Sequence, residues 1–236
     1  MRIGREDFEA RQQELRRLYS ALWPRLDRAL FQIRDERNLS MPLLLSLTAH
    51  AYPEAAVRLL VVGQQTNGWK PDGEIVGDAV ESLLNLYTGF DLGSRYVRSP
   101  FWAAAHELYG LLNPGGPRNG FLWTNLSKVD ENYRRPSVDV ENILRGCFDV
   151  LAKEIELAAP DIIVFFTGPS YDQLLCSTLQ GSQLYDTPLN NRRLLARLGS
   201  NGGALPKRSY RTYHPKGLRL HKKWDIIREI AEMTSH

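Results

Sequence analysis

The sequence predicts an α/β fold built on a four-stranded parallel sheet with both faces covered, and three observations predict it. Short apolar runs recur at residues 58–62, 122–124 and 162–166, with a more polar fourth at 208–213. Stretches of helical periodicity separate them, and strands that alternate with helices form parallel sheets because each crossover returns the chain to the same edge. The 236 residues, 43% apolar and 10% aromatic, suffice for a sizeable core. Residues 1–236 are therefore expected to form one domain, with residues 1–50 as a helical extension packed on it.

In chain order, Leu15, Leu18, Tyr19, Leu22, Leu26, Leu30 and Ile33 recur at helical spacing among charges. They predict one or two amphipathic helices, broken at Pro24, which lacks an N–H. The first strand, 58–62, ends at Gly63. Helices follow at 75–87 and at 99–112, the latter opened by Ser99-Pro100, a capping side chain and a residue suited to the first turn. The second strand leads to a helix over 139–157, started by Asp139, and the third strand is followed by Gly168 and a helix over 170–179. After the fourth strand a last helix spans 219–233. Asn113-Pro114-Gly115-Gly116-Pro117 and Gly199-Ser200-Asn201-Gly202-Gly203 read as loops.

Several classes are disfavoured. The longest near-apolar run, 42–49, is interrupted by Ser46 and Thr48 and is too short to span a bilayer. The N-terminus mixes Arg2, Arg5, Glu6 and Asp7, unlike a signal peptide, so a soluble cytoplasmic protein is expected. Cys147 and Cys176 stand alone, which leaves disulfide scaffolds, cysteine-rich zinc sites and four-cysteine clusters unsupported.

Charge is distributed unevenly. The 38 residues from Thr187 to Trp224 hold ten of the 30 basic residues and none of the 27 acidic ones, so a basic segment is set against a net acidic remainder. Such separation predicts a polyanionic partner.

In an open parallel sheet the ligand crevice lies beyond the carboxyl ends of the strands. Those ends read Gly63-Gln64-Gln65-Thr66-Asn67-Gly68-Trp69, then Asn125-Leu126-Ser127, then Thr167-Gly168-Pro169-Ser170-Tyr171, then His214-Pro215-Lys216-Gly217-Leu218. All are rich in amides, hydroxyls or turn formers.

The order and spacing of these ends resemble the uracil-DNA glycosylase superfamily. Its first motif, Gly-Gln-Asp-Pro-Tyr-His, is matched at Gly63 and Gln64, with Gln65 at the aspartate position. Gly120-Phe121-Leu122-Trp123-Thr124-Asn125 is similar to the strand that ends in its base-reading asparagine, and His214-Pro215-Lys216-Gly217-Leu218 to its His-Pro-Ser-Pro-Leu. The resemblance spans roughly residues 57–224. It implies a three-layer sandwich around the four strands, base excision from DNA by a monomer without metal or cofactor, and no membrane partner.

It also implies roles. His214 and Gln65 would be catalytic, and Asn125, Gln64 and Phe101 would bind the base. Lys216, Leu218, Arg211, Arg219, Gly168 and Ser170 would contact DNA. An enzyme acting on a base must extrude it, hold its edge and fill the vacated space. Asn125 offers one acceptor and two donors to the O4 and N3–H edge of uracil. A neutral His214 would donate to the departing base anion, stabilising charge that appears only in the transition state. Leu218 would be the apolar wedge, unless it begins the packed face of the last helix; Phe101 and Trp69 read more readily as core or pocket walls than as stacking platforms. Gln65 can hydrogen-bond water but cannot take its proton, and Asp72 and Glu74 are the nearest carboxylates in the loop that could do so. The residues thus support two readings, a glycosylase and a nucleic-acid-binding protein without catalysis. A nucleotide-binding enzyme of another kind is less supported, because no strand end reads as a Walker or dinucleotide loop.

Overall fold

A computed structural model describes residues 4–70, 77–188, 191–200, 203 and 205–234. Six strands form one sheet in the order β2-β1-β3-β6-β5-β4. They are β1 (Leu59–Gly63), β2 (Leu122–Asn125), β3 (Ile162–Phe165), β4 (Ser182–Asp186), β5 (Leu195–Ser200) and β6 (Arg208–Thr212). The four expected strands are the parallel ones, and all residues of β1, β2 and β3 are buried, as strands covered on both faces must be. The sheet exceeds the expected four strands by β4 and β5, an antiparallel hairpin on β6.

Register explains how the ends converge. Gly63 lies opposite Asn125, Val62 opposite Phe165, and Phe165 opposite Arg211, so the parallel strands finish at one edge. Because Leu195 of β5 faces Thr212 of β6, the connection between β4 and β5 emerges at that same edge.

Nine α-helices occur among the described residues: α1 (Arg5–Phe31), α2 (Arg34–Arg37), α3 (Ala79–Phe90), α4 (Pro100–Leu112), α5 (Val138–Cys147), α6 (Leu151–Ala158), α7 (Asp172–Thr178), α8 (Pro215–Leu220) and α9 (Ile226–Met233). The α1 helix packs on α5 and α6, while α4 packs on α8 and α9. None is long and apolar enough to cross a membrane. Contrary to expectation, α1 runs through Pro24 unbroken. Its stripe of Leu15, Tyr19, Leu26 and Leu30 is fully buried on both sides of the proline, which offsets the missing bond, a loss of about 3 kcal/mol in a helix interior. Conversely, the helix expected over 139–157 is two, because Phe148 leaves helical geometry to stack on Tyr19, 5.9 Å between centroids. The last helix is also two, since α8 starts at Pro215 and Lys222 adopts φ 54° between it and α9. Gly199 and Ser200 belong to β5, while the rest of that expected loop is largely outside the described residues.

The extension does more than cover the sheet. Ser40 bonds Thr66 at 2.8 Å, Met41 N–H donates to Trp69 O at 2.8 Å, and Leu43 N–H to Lys128 O at 2.8 Å. Residues 39–47 thereby staple the loops that follow β1 and β2.

Candidate functional site

His214 caps α8 at the end of β6. Its Nδ1 accepts the Lys216 backbone N–H at 3.2 Å, which places the proton of the neutral ring on Nε2. Burial, reinforced by the charge of Lys216, lowers its pKa to about 4. One ring face stacks on Phe101 at 5.9 Å and 24°. At neutral pH the residue is therefore an uncharged, oriented hydrogen-bond donor.

Asn125 is brought to the same place by register. A Cβ on Gly63 would strike the Asn125 Oδ1 and crowd the Phe101 ring, so this position requires glycine for close approach. Phe101 thus lies over Gly63 beside Asn125 and against His214, as one wall of the site. Asn125 itself is only 1% exposed. Its Oδ1 accepts the Trp123 indole N–H at 3.1 Å, while its Nδ2 is buried without a hydrogen-bond partner among the described residues. The amide is hence poised but covered. Trp69, packed edge-on against Trp123 at 5.5 Å, is core.

The two glutamines diverge. Gln64 Nε2 donates to Thr167 O at 2.7 Å and ties β1 to β3 at the cleft. Gln65 Oε1 accepts the Tyr171 hydroxyl at 2.7 Å. Burial raises the Tyr171 pKa to about 12, so this donor stays protonated and occupies the oxygen that would orient water. Asp72 and Glu74 lie outside the described residues.

An open cleft of about 900 Å³ runs from Gln64 past Thr167, Gly168 and Ser170 to Tyr213 and His214, and is closed on its far side by Arg192 and Arg193. Gly168 turns the chain there, with φ 74° and its N–H donating to Thr212 O at 2.9 Å. Ser170 is exposed, and its carbonyl accepts from Arg135 at 3.1 Å. Among the described residues no cluster of three or more His, Cys, Asp or Glu could hold a metal ion.

Two expected DNA contacts are corrected. Arg211 is 1% exposed, and its guanidinium is turned inward onto protein partners. Nε and Nη2 each approach an Asp172 carboxylate oxygen at 2.8 Å, and Nη1 and Nη2 donate to the carbonyls of Arg193 and Arg192 at 2.9 and 2.8 Å. It pins the hairpin connection to α7, a wall-building role that follows from the unexpected hairpin covering β6. Burial raises the Asp172 pKa against the pull of Arg211. Leu218, also 1% exposed, belongs to the core; because α8 begins at Pro215, position 218 shares its inner face. On the outer side of α8 it is Leu220 that faces solvent, 75% exposed. Lys216 and Arg219 are exposed, Arg219 lying over the Trp224 ring at 4.9 Å.

Sequence reasoning placed Tyr171 at a strand end without giving it a role, and it assigned no site role to Asp172, Arg193 or Tyr213. Arg193 donates to the Tyr213 hydroxyl at 3.3 Å, and the place of Tyr213 directly before His214 is the signal that could have found it. Set against known proteins, the chain matches no protein-family model and no curated protein.

Proposed function

We propose that this chain is a divergent member of the uracil-DNA glycosylase superfamily that hydrolyses the N-glycosidic bond of uracil or a related damaged base in DNA. The observation that carries the reading is His214, a neutral imidazole with its Nε2–H free of the Lys216 bond, at the strand edge beside Phe101, Asn125 and Gln64. Four parallel strands with helices on two sides agree with the three-layer sandwich of that superfamily.

In this mechanism the glycosidic bond breaks with its electron pair going to the base, and His214 donates a hydrogen bond to the base oxygen where negative charge collects. Water adds to the sugar carbon, and its proton goes to the departing base or to solvent, since Gln65 cannot accept it. Phe101 would have to move to admit a base to Asn125. The reading assigns no metal or cofactor and places a monomer in the cytoplasm.

The test incubates the protein with uracil-containing single- and double-stranded oligonucleotides and scores alkali-labile abasic sites. His214→Ala should slow excision about 10²–10³-fold, the loss typical of one donor to a developing anion. A second reading, a nucleic-acid-binding protein without catalysis, is favoured by the Gln65 oxygen already bonded to Tyr171 and by the covered Asn125. Salt-sensitive binding with no cleavage on a panel of damaged bases would select it.

A further inference from the structure

The turn after β2 holds a feature the cleft does not use. Asn132 and Tyr133 are consecutive non-glycine residues at φ 54° and 62°, a left-handed conformation that a bulky side chain adopts only when its surroundings impose it. They do impose it. Asp130, 1% exposed, accepts the Tyr133 N–H at 2.9 Å and the Gly68 N–H at 2.7 Å, and Glu131 and Arg134 exchange backbone hydrogen bonds at 3.0 and 3.1 Å.

The result of this strain is a tyrosine ring 60% exposed, lying against Gly68, where an added Cβ would crowd the ring edge. Arg134 and Arg135 follow, both exposed and neither in an ion pair among the described residues. Arg135 lies over the Tyr171 ring at 4.1 Å and donates to the Ser170 carbonyl, which fixes it at the lip of the cleft. Backbone strain that holds an aromatic ring in water contributes nothing to the core. It does make a rigid platform.

We infer that Tyr133 and Arg134 form a second nucleic-acid contact outside the cleft, taking an unpaired nucleotide. The base stacks on the Tyr133 ring and the adjoining phosphate meets Arg134, with Arg135 holding the turn against the lip. A single strand is the occupant because an exposed ring takes the face of an unpaired base, and the exposed Arg134 guanidinium beside it complements a phosphate. This rests on the nucleic-acid reading above.

The test measures binding of the full chain to a fluorescein-labelled oligothymidylate and to a blunt duplex by anisotropy over a salt series. Tyr133→Ala should weaken oligothymidylate binding about tenfold, Tyr133→Phe should preserve it, and Arg134→Gln should reduce the salt slope by about 0.7. Tyr133→Asn separates contact from folding, since asparagine tolerates the left-handed region; its unfolding midpoint should equal or exceed that of the parent while binding drops. If Tyr133→Ala and Tyr133→Asn bind as tightly as the parent, or lose duplex and single-strand affinity equally, the inference is overturned and the cleft reading stands. If the parent binds neither oligonucleotide, both fall.

Discussion

At the carboxyl end of β2, Asn125 is covered, its oxygen bonded to Trp123; at the carboxyl end of β6, His214 opens on a cleft of about 900 Å³. Buried ion pairs repeat the contrast. Beneath β2, Lys128 contacts Glu154, which also accepts from Tyr19 at 2.7 Å and Thr124 at 2.9 Å, a sealed network joining α1, α6 and the sheet. At the cleft, Arg211 and the half-buried Asp172 form the other pair. The difference teaches that equivalent strand ends acquire different tasks from what covers them. The N-terminal extension closes the β2 side into a support, and the β4–β5 hairpin leaves the β6 side as a walled opening.

Breaking the support should have the largest effect. Glu154→Ala would leave the Lys128 ammonium buried without its carboxylate, where burial already lowers its pKa, and should cost about 3–5 kcal/mol in urea unfolding. Asp172→Ala should cost less, about 1.5–3 kcal/mol, because Arg211 keeps the Arg192 and Arg193 carbonyls and lies beside solvent. Equal losses would erase the distinction between the two sides.

Asn125→Ala sharpens it. The buried Trp123 N–H would lose its acceptor, a cost of about 1–3 kcal/mol. If stability is unchanged while excision disappears, Asn125 is a reader of bases and not a strut.

What the sequence disclosed follows the same division. Three of the parallel strands were legible as short apolar runs between helical stretches and the more polar fourth by its place after the last loop, and His214 was legible because its motif and charged setting coincide. The hairpin was not, since β4 reads Ser-Gln-Leu-Tyr-Asp and leaves most of its residues partly or fully exposed, with no apolar signature. Arg211 looked like a phosphate ligand because nothing local announces a covering hairpin, and Leu218 looked like a wedge because its orientation depends on where α8 begins. Pro24 misled because tertiary burial outweighed a local rule.

The pH dependence tests the open side. The folded His214 pKa of about 4 lies below its ordinary 6.5, so as pH falls the unfolded chain takes up the proton first and the native state loses stability between those values. Within the native state the ring stays neutral until about pH 4. Excision that needs a neutral imidazole should be level from pH 8 to about 5 and then decline, as single-turnover rates would record. An inflection near 6.5 would mean the ring is solvated and the proposed donor is not held as described.

The smallest effect separates cations by exposure. Lys216, Arg219, Lys222 and Lys223 face solvent around Leu220, whereas Arg211 is buried. A cation that meets a phosphate releases counterions, so replacing an exposed one with glutamine should reduce the dependence of log affinity on log salt by about 0.7–0.9. Arg211→Gln should lower stability but leave that slope unchanged, because its charge is already compensated by Asp172. If Arg211→Gln and Lys216→Gln flatten the salt dependence alike, the basic stretch acts as an undivided field and burial does not sort its members.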